Sequence, residues 1–375
     1  MYYTRTLGNK LIRRYHILGN QVSFLVRVKE ICDDIVNKHE MINETGFSVI
    51  DVPDMMNIKN RLLNYKDIRH IVFNAVKSHD IIILRNPSYV GNLALKYSKK
   101  LNKPYIVEFV ACPWDAMWYY NWKGKILAPY AYFKNRWAIY DSSCVIYVTN
   151  KFLQQRYPTK GMTFSISNVE IDEVSEDVLN KRIKKIEQLD LKGPIFIGTA
   201  ANIDVPYKGQ ADVIKALYLL RQLGETRFRY KIIGAGNPER LQNIIKKLDM
   251  QHYVSLEGPM KHSDILSFYD DLDIYIQPSK QEGLPRSVIE AMSRACPVIG
   301  ARTGGIPELI NHQYVFHKGK VEQLKFILSN IVEKQLLESE SIKNFNEAKK
   351  YTRELIEYKR NEVYCRFVDS SGQFK

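Results

Sequence analysis

A chain of 375 residues, 45% of them hydrophobic, is long enough for about two domains and has the apolar content of an ordinary globular protein. No run of about eighteen apolar residues occurs and the opening Met1-Tyr2-Tyr3-Thr4-Arg5 carries no signal-peptide core, so no transmembrane helix is expected; five scattered cysteines without a CxxC pair fit buried thiols in a reducing cytosol. The net charge of +14 is uneven, with +9 of it in residues 1–175, which suits nucleic acid, an acidic substrate or an anionic membrane surface without choosing among them.

In chain order, Leu7, Leu11, Ile12, Tyr15 and Leu18 share one side of a helix over 7–18. Gln21–Val28 reads as a strand, Ser48–Val52 as a short strand and Asp67–Lys77 as a helix. Asp80–Leu84 has the continuous apolar run of a buried parallel strand. Helix Leu93–Lys100 and strands Tyr105–Val110, Cys144–Thr149 and Thr163–Ser167 continue the alternation, with a linker near Val169–Ser175. A second alternation follows. Its expected strands are Pro194–Ala200, Tyr230–Gly234, Val254–Gly258, Ile274–Ile276, Pro297–Gly300 and Tyr314–His317. Its expected helices are Lys208–Leu223, Pro238–Leu248, Ser263–Tyr269, a pattern on Val288, Ala291, Met292 and Ala295, and Val321–Lys334. Asn346–Phe367 reads as a charged amphipathic helix. The fold class is α/β, two doubly wound domains, with no internal repeat beyond the βα rhythm.

The most informative stretch runs from Ile274 to Ile310. A strand ends at Pro278-Ser279, a loop carries Glu282-Gly283-Leu284-Pro285, and a helix, a strand and the turn Thr303-Gly304-Gly305-Ile306-Pro307-Glu308 follow. The loop lies at the carboxyl end of its strand, where α/β sheets place ligands. Pro285 suits a first helical turn, and Gly283 lets backbone approach a ligand closely. The free N–H groups of that turn, through Arg286, are aimed where a phosphate or sugar would sit. Glu282 precedes the helix and Glu290 lies about one turn inside it, so two carboxylates reach one bound molecule at different depths, one for a sugar and one for a ribose.

EGLPRSVIEAM, ACPVIGA and GGIPEL together resemble the retaining family-4 (group 1) glycosyltransferases of bacterial surface-polysaccharide type. That family has the GT-B fold, two facing Rossmann-like domains, and an E-x7-E motif; Ala295 stands where it often has glycine. The resemblance covers most of the chain and is strongest from Ile195 to Ile310. It implies that Lys208, in a Lys-Gly pair, carries the charge of a departing diphosphate. The Arg that commonly stands about five residues earlier is replaced by Asn202-Ile203-Asp204, and Arg286 is one candidate substitute. Gly234-Ala235-Gly236 and Gly258-Pro259-Met260 match positions lining the nucleotide cleft, with Gly236 and Gly258 as contacts. The resemblance further implies that no metal and no cofactor beyond a UDP- or GDP-linked donor is needed.

In the first half, KPYIVEFVACPWDAMW ends a strand opposite the Glu282 loop. Relatives often carry a histidine there and this chain has none, which leaves Asp115 as the ionisable group; Trp114 and Trp118 either stack on a sugar or simply pack. Lys123–Tyr140 mixes Lys123, Lys125, Lys134 and Arg136 with Leu127, Tyr130, Phe133 and Trp137. It reads either as a core-packed helix with a solvated basic face or as a surface that meets anionic lipid.

The expected domains are 1–172 for the acceptor, 173–344 for the nucleotide sugar and 345–375 as a helix crossing back to the first. Met1 falls almost directly before the helix over 7–18. The first domain is therefore expected to lack its first strand, with an N-terminus upstream; the alternative makes Gln21–Val28 the first strand. The expected activity is retaining transfer from a nucleotide sugar to a glycan or lipid-linked acceptor, in the cytoplasm or on the inner face of the cell membrane. The alternatives are a catalytically weak paralogue acting as a binding subunit, and a nucleic-acid binder, for which no motif is present.

Overall fold

Apolar runs bounded by turn residues form strands buried on both faces, and these set the architecture. The computed structural model describes residues 2–4, 8–29, 40–55 and 58–371. In the first half, β1 (Tyr3–Thr4) pairs antiparallel with β3 (Glu40–Met41), and β2 (Val22–Val26) pairs parallel with β4 (Phe47–Asp51). A separate parallel sheet has the order β5 (Ile82–Asn86), β6 (Tyr105–Phe109), β7 (Cys144–Tyr147), β8 (Met162–Ser165). Every residue of β6 and β7 is buried, which is why their sequences show no alternation. Among the described residues no ladder joins the β2–β4 pair to β5. The expected helix over 7–18 appears as Asn9–Tyr15 followed by a tighter turn at His16–Leu18; Leu7 lies outside the described residues.

The second half forms one parallel sheet of six strands. They are β9 (Ile195–Ala200), β10 (Phe228–Ile233), β11 (Val254–Gly258), β12 (Ile274–Gln277), β13 (Val298–Ala301) and β14 (Val315–Phe316), in the order β11-β10-β9-β12-β13-β14. Strand order reverses between β9 and β12. A doubly wound sheet opens its ligand crevice at that point, outside the carboxyl ends of the strands. The two halves are Rossmann-like domains of an α/β protein, with apolar clusters around β9–β10, around β6–β7, and where β12–β13 meets the chain's last helix.

Three sequence expectations are corrected here. The helix expected over Val321–Lys334 stops at Ile331, and a separate helix, Lys334–Ala348, begins after Glu333 adopts an extended conformation. The tail is not one helix over Asn346–Phe367. It breaks at Lys349–Thr352 and resumes as Arg353–Ser371. There the backbone exchanges helical bonds for tertiary ones: Ile171 N donates to Tyr351 O at 3.0 Å and Arg353 N to Ile171 O at 2.9 Å. The Lys208–Leu223 helix starts at Gln210 instead, with Lys208 in a tight turn before it.

The last helix packs on the first domain. Arg360, fully buried, lies 3.4 Å from Glu108 of β6 and donates to Ser167 O at 2.8 Å. Tyr364 OH donates to the same carboxylate at 3.3 Å. No described helix is long and apolar enough to cross a membrane.

Candidate functional site

The crevice between β9 and β12 is built by two loops that touch. Lys280 N donates to Tyr207 O at 2.7 Å. Gly209 sits at φ +78°, and a Cβ there would fall 2.1 Å from the Pro278 carbonyl oxygen, so glycine is required both for the backbone angle and for the contact. This docking brings Lys208 Nζ to 2.6 Å from Glu282 Oε1. The pair is partly buried, with side chains 22% and 12% exposed.

A hydrogen-bond chain from the sheet fixes Glu282. Ala200 N donates to Tyr275 OH at 3.3 Å, Tyr275 OH donates to Gln277 Oε1 at 2.6 Å, and Gln277 Nε2 donates to Glu282 Oε1 at 3.1 Å and to Ser279 Oγ at 2.8 Å. Ser287 Oγ adds a bond to Gln277 Oε1 at 3.0 Å. With two donors on its oxygen and two acceptors on its nitrogen, the amide has one workable orientation. Burial pushes the Tyr275 hydroxyl far above its usual range, which keeps it a donor.

Glu290 lies one turn inside the helix Arg286–Ser293 and is buried. Tyr269 OH donates to its Oε2 at 3.2 Å, and Arg286 Nη1 lies 4.0 Å from its Oε1. Burial, then the neighbouring Tyr275 and Glu290, hold the Tyr269 hydroxyl well above its ordinary value. Arg286 is itself exposed. Pro285 is the residue before the first helical turn, at φ −76° and ψ 123°, not within it.

Gly283 and Leu284 also make contacts between the two domains. A Cβ on Gly283 would lie 2.3 Å from the carbonyl oxygen of Val110, at the end of β6. The loop thus closely approaches the first domain's backbone. Gly283 O also accepts from Gly305 N at 2.7 Å, folding the Gly-Gly turn back on the loop. Leu284 packs against apolar clusters of both halves.

On the far side of the crevice, Gly236 adopts φ +128° and packs against Asp204, whose Oδ1 accepts from Asn237 N at 2.5 Å. Asp204 thus occupies the neighbourhood where resembling enzymes carry Arg. Gly258 ends β11 at φ +75° and accepts from Gly234 N at 2.9 Å.

Asp115 meets the second domain from the first, at Lys318. It is 2% exposed, with Lys318 Nζ at 3.5 Å and Arg156 Nη1 at 3.9 Å from Oδ1, while its Oδ2 has no partner. Trp114 and Trp118 stack on each other, centroids 5.3 Å apart, with Arg156 over Trp114. Both rings are partly buried.

Three residues escaped the sequence reading. Lys318, just past β14, reaches Asp115; Lys280 Nζ lies 2.9 Å from Asp212 Oδ2; and Gln277 holds Glu282. Each lies at or just beyond the carboxyl end of a strand, so inspecting those positions across the whole sheet finds them. Glu308 of the GGIPEL turn bridges the halves. Its carboxylate accepts from Asn150 N at 2.6 Å, Lys151 N at 3.1 Å and Phe152 N at 2.7 Å, where the helix Phe152–Arg156 begins. Ammonium and carboxylate groups in one crevice fit a ligand carrying both an anion and hydroxyls. Among the described residues no group of three or more His, Cys, Asp or Glu side chains is arranged to hold a metal ion.

Residues 180–352 match the family model described as glycosyl transferases group 1. The chain is 30% identical over 379 residues to protein CapJ of Staphylococcus aureus, covering 100% of this chain and 93% of that one. Over 131 residues it is 34% identical to the amylovoran biosynthesis glycosyltransferase AmsK of Erwinia amylovora, covering 32% of each. Among solved structures it resembles Anabaena HepE, determined in complex with UDP and glucose. The TM-score is 0.64 at 17% identity, covering 96% of this chain and 95% of that one.

Proposed function

The chain belongs to the group 1 glycosyl transferases, and from that premise we propose that it moves a sugar from a nucleoside-diphosphate sugar to an acceptor hydroxyl with retention of anomeric configuration, in the assembly of a surface polysaccharide or glycolipid. The observation that carries this reading is the Lys208–Glu282 pair at the strand-order reversal, 2.6 Å apart, with Glu290 one helical turn deeper. Residues 173–344 take the donor, residues 1–172 take the acceptor, and residues 345–375 tie the two together.

A diphosphate entering the crevice draws Lys208 from Glu282, and Glu282 then accepts a hydroxyl of the transferring sugar while Glu290 accepts one from the ribose. The bond between the anomeric carbon and the diphosphate oxygen breaks as the acceptor oxygen bonds to the same face. The acceptor's proton passes to the departing phosphate. Lys208 and the N–H groups at Gly283–Arg286 stabilise the charge that grows there, and such preorganised groups act without metal. The unpartnered Asp115 Oδ2 supports a place for an acceptor hydroxyl. The UDP held by Anabaena HepE favours a uridine donor over a guanosine one. The reaction is assigned to the cytoplasm, at the inner face of the cell membrane.

A second reading, a binding subunit with weak catalysis, is favoured by one observation: Asn202-Ile203-Asp204, with no Arg, stands where resembling enzymes carry a cation. Titration of UDP- and GDP-sugars by calorimetry, with nucleotide release measured in parallel against glycan acceptors, separates the two. Binding with acceptor-dependent release and a product anomer matching the donor's supports transfer. Binding without release supports the subunit reading, and binding of neither UDP- nor GDP-sugars overturns both.

A further inference from the structure

The helix Trp122–Tyr140 has its sides reversed. A helix on a globular protein turns its large apolar residues inward, yet here the buried positions are Gly124, Ala128, Asn135 and Ile139. Trp122, Ile126 and Trp137 are 68%, 69% and 74% exposed, and Tyr130, Phe133 and Tyr140 are exposed beside them. At 3.6 residues per turn these six side chains fall within roughly 80° of the circumference. They form one apolar stripe along 19 residues, extended at its start by exposed Tyr120. Contiguous apolar surface of this kind marks a contact with something else.

The charges say what that something is. The helix contains no acidic residue. Lys123 and Lys134 border the stripe on one side and Lys125 on the other, each ammonium within reach of an aromatic ring: Trp122 at 5.5 Å, Tyr130 at 5.5 Å and Trp118 at 5.9 Å. Lys160 lies over Tyr140 at 4.6 Å but is paired with Asp141 at 3.7 Å, so it adds no net charge to this face. Arg136 is engaged elsewhere, donating to Arg156 O at 2.8 Å, and is not part of this face. A second copy meeting the stripe through a twofold axis would bring the same lysines and no carboxylate of this helix against them. Cores of protein interfaces are depleted in lysine. Aromatic rings flanked by long cations that snorkel from an apolar stripe are instead what the boundary of an anionic bilayer accepts.

We propose that the exposed face of Trp122–Tyr140 docks the protein on an anionic lipid surface. The helix Pro113–Trp118, which carries Asp115, is joined to it through Tyr119–Asn121 and packs closely against it: a Cβ on Gly124 would lie 2.2 Å from Met117 O. Docking therefore leaves the Asp115 helix behind the docked one, and holds the domain that carries Asp115 at the lipid surface. Where transfer is the reaction, a lipid-linked acceptor meets the site from that surface; the docking itself does not rest on that reading.

The test is co-sedimentation of the full chain with vesicles, with no nucleotide sugar present. Phosphatidylcholine vesicles containing about one third phosphatidylglycerol should bind the protein and release it as salt rises, and pure phosphatidylcholine vesicles should bind far less. Replacing Lys123, Lys125 and Lys134 together by Ser should weaken partition roughly a hundredfold, at about fivefold for each cation. The triple change Trp122→Ser, Ile126→Ser and Trp137→Ser should weaken it at least as much. Thermal melts of both variants should stay close to the original, because the altered side chains are exposed. Failure of the unaltered chain to bind anionic vesicles would overturn the proposal, as would binding that neither triple change weakens. A dimer in light scattering that the Trp and Ile changes dissolve would assign the stripe to a second copy instead.

Discussion

Replacing Glu282 by Gln should separate two quantities that usually move together: UDP should bind more tightly while turnover falls. In the ligand-free crevice the Glu282 carboxylate holds Lys208 at 2.6 Å and accepts from Gln277 at 3.1 Å. An amide oxygen preserves both contacts in shape but removes the charge that competes with a diphosphate for the ammonium and repels it. With both side chains partly exposed, that competition amounts to about 1 kcal/mol, or roughly a fivefold tighter Kd for UDP. Turnover depends on the other end of the same carboxylate. Positive charge growing on the transferring sugar loses a preorganised anion, which costs about 3 kcal/mol and roughly a hundredfold in rate. Calorimetric titration of UDP and a UDP-release assay at saturating donor measure the two effects on one preparation. UDP binding weakened tenfold, with the rate unchanged, would refute the reasoning and make Glu282 a scaffold for Lys208.

Glu290→Gln should weaken binding of the intact donor by about 1–2 kcal/mol, read by titration, with a smaller effect on the rate of bound donor. Gly283→Ala should destabilise the fold by about 1–3 kcal/mol in urea melts, because its Cβ would meet the Val110 carbonyl at 2.3 Å, backbone against backbone. Glu308→Ala leaves three backbone donors at one helix start without their acceptor and should cost about 1–2 kcal/mol, visible as faster proteolysis between the halves. Among the described cysteines, Cys144 is buried and its thiol pushed up to about 12 by burial, while Cys365 is exposed. A thiol reagent at pH 8 should therefore label Cys365 at once and Cys144 only on unfolding.

What was legible in the sequence was local. β12, its loop and the following helix lie within one contiguous stretch, and strands such as Ile274–Gln277 and Val298–Ala301 announce themselves as unbroken apolar runs because both faces are buried. Glu282 and Lys208, 74 residues apart, were brought together only by the family resemblance and the strand order it implies. Even a departure was informative: Ala295, where relatives often have glycine, sits at φ +51°, a conformation that glycine adopts without strain. What stayed hidden was tertiary. The amphipathic pattern through Asn346–Phe367 gives no sign of its break, because the cause is Ile171 on another segment. Gly283 advertises close approach without saying to what. A helix apolar on every side, as Trp122–Tyr140 is, offers no period from which to choose its buried face; only the small residues Gly124 and Ala128, which let it approach the helix before it, decide.

The cations of the crevice share one further property. Lys208 stands beside Glu282, Lys280 beside Asp212, Lys318 beside Asp115 and Arg286 beside Glu290. A partly buried ammonium without a counter-ion is costly, and so is a buried carboxylate without a donor; pairing keeps the ligand-free crevice tolerable on both counts. It also sets what can replace the pairs. A purely anionic ligand satisfies the cations and strands the carboxylates, while a neutral sugar does the reverse. A molecule with a diphosphate at one end and hydroxyls on two rings exchanges each pair for two new contacts at once. On this reasoning UDP and free hexose should each bind far more weakly than the linked donor. The linked donor should exceed the product of the two separate affinities, because ordering is lost once and not twice. Titrating UDP, free hexose and the UDP-hexose separately and together measures that excess. Binding of UDP as tight as that of the linked donor would show that the carboxylates face no sugar.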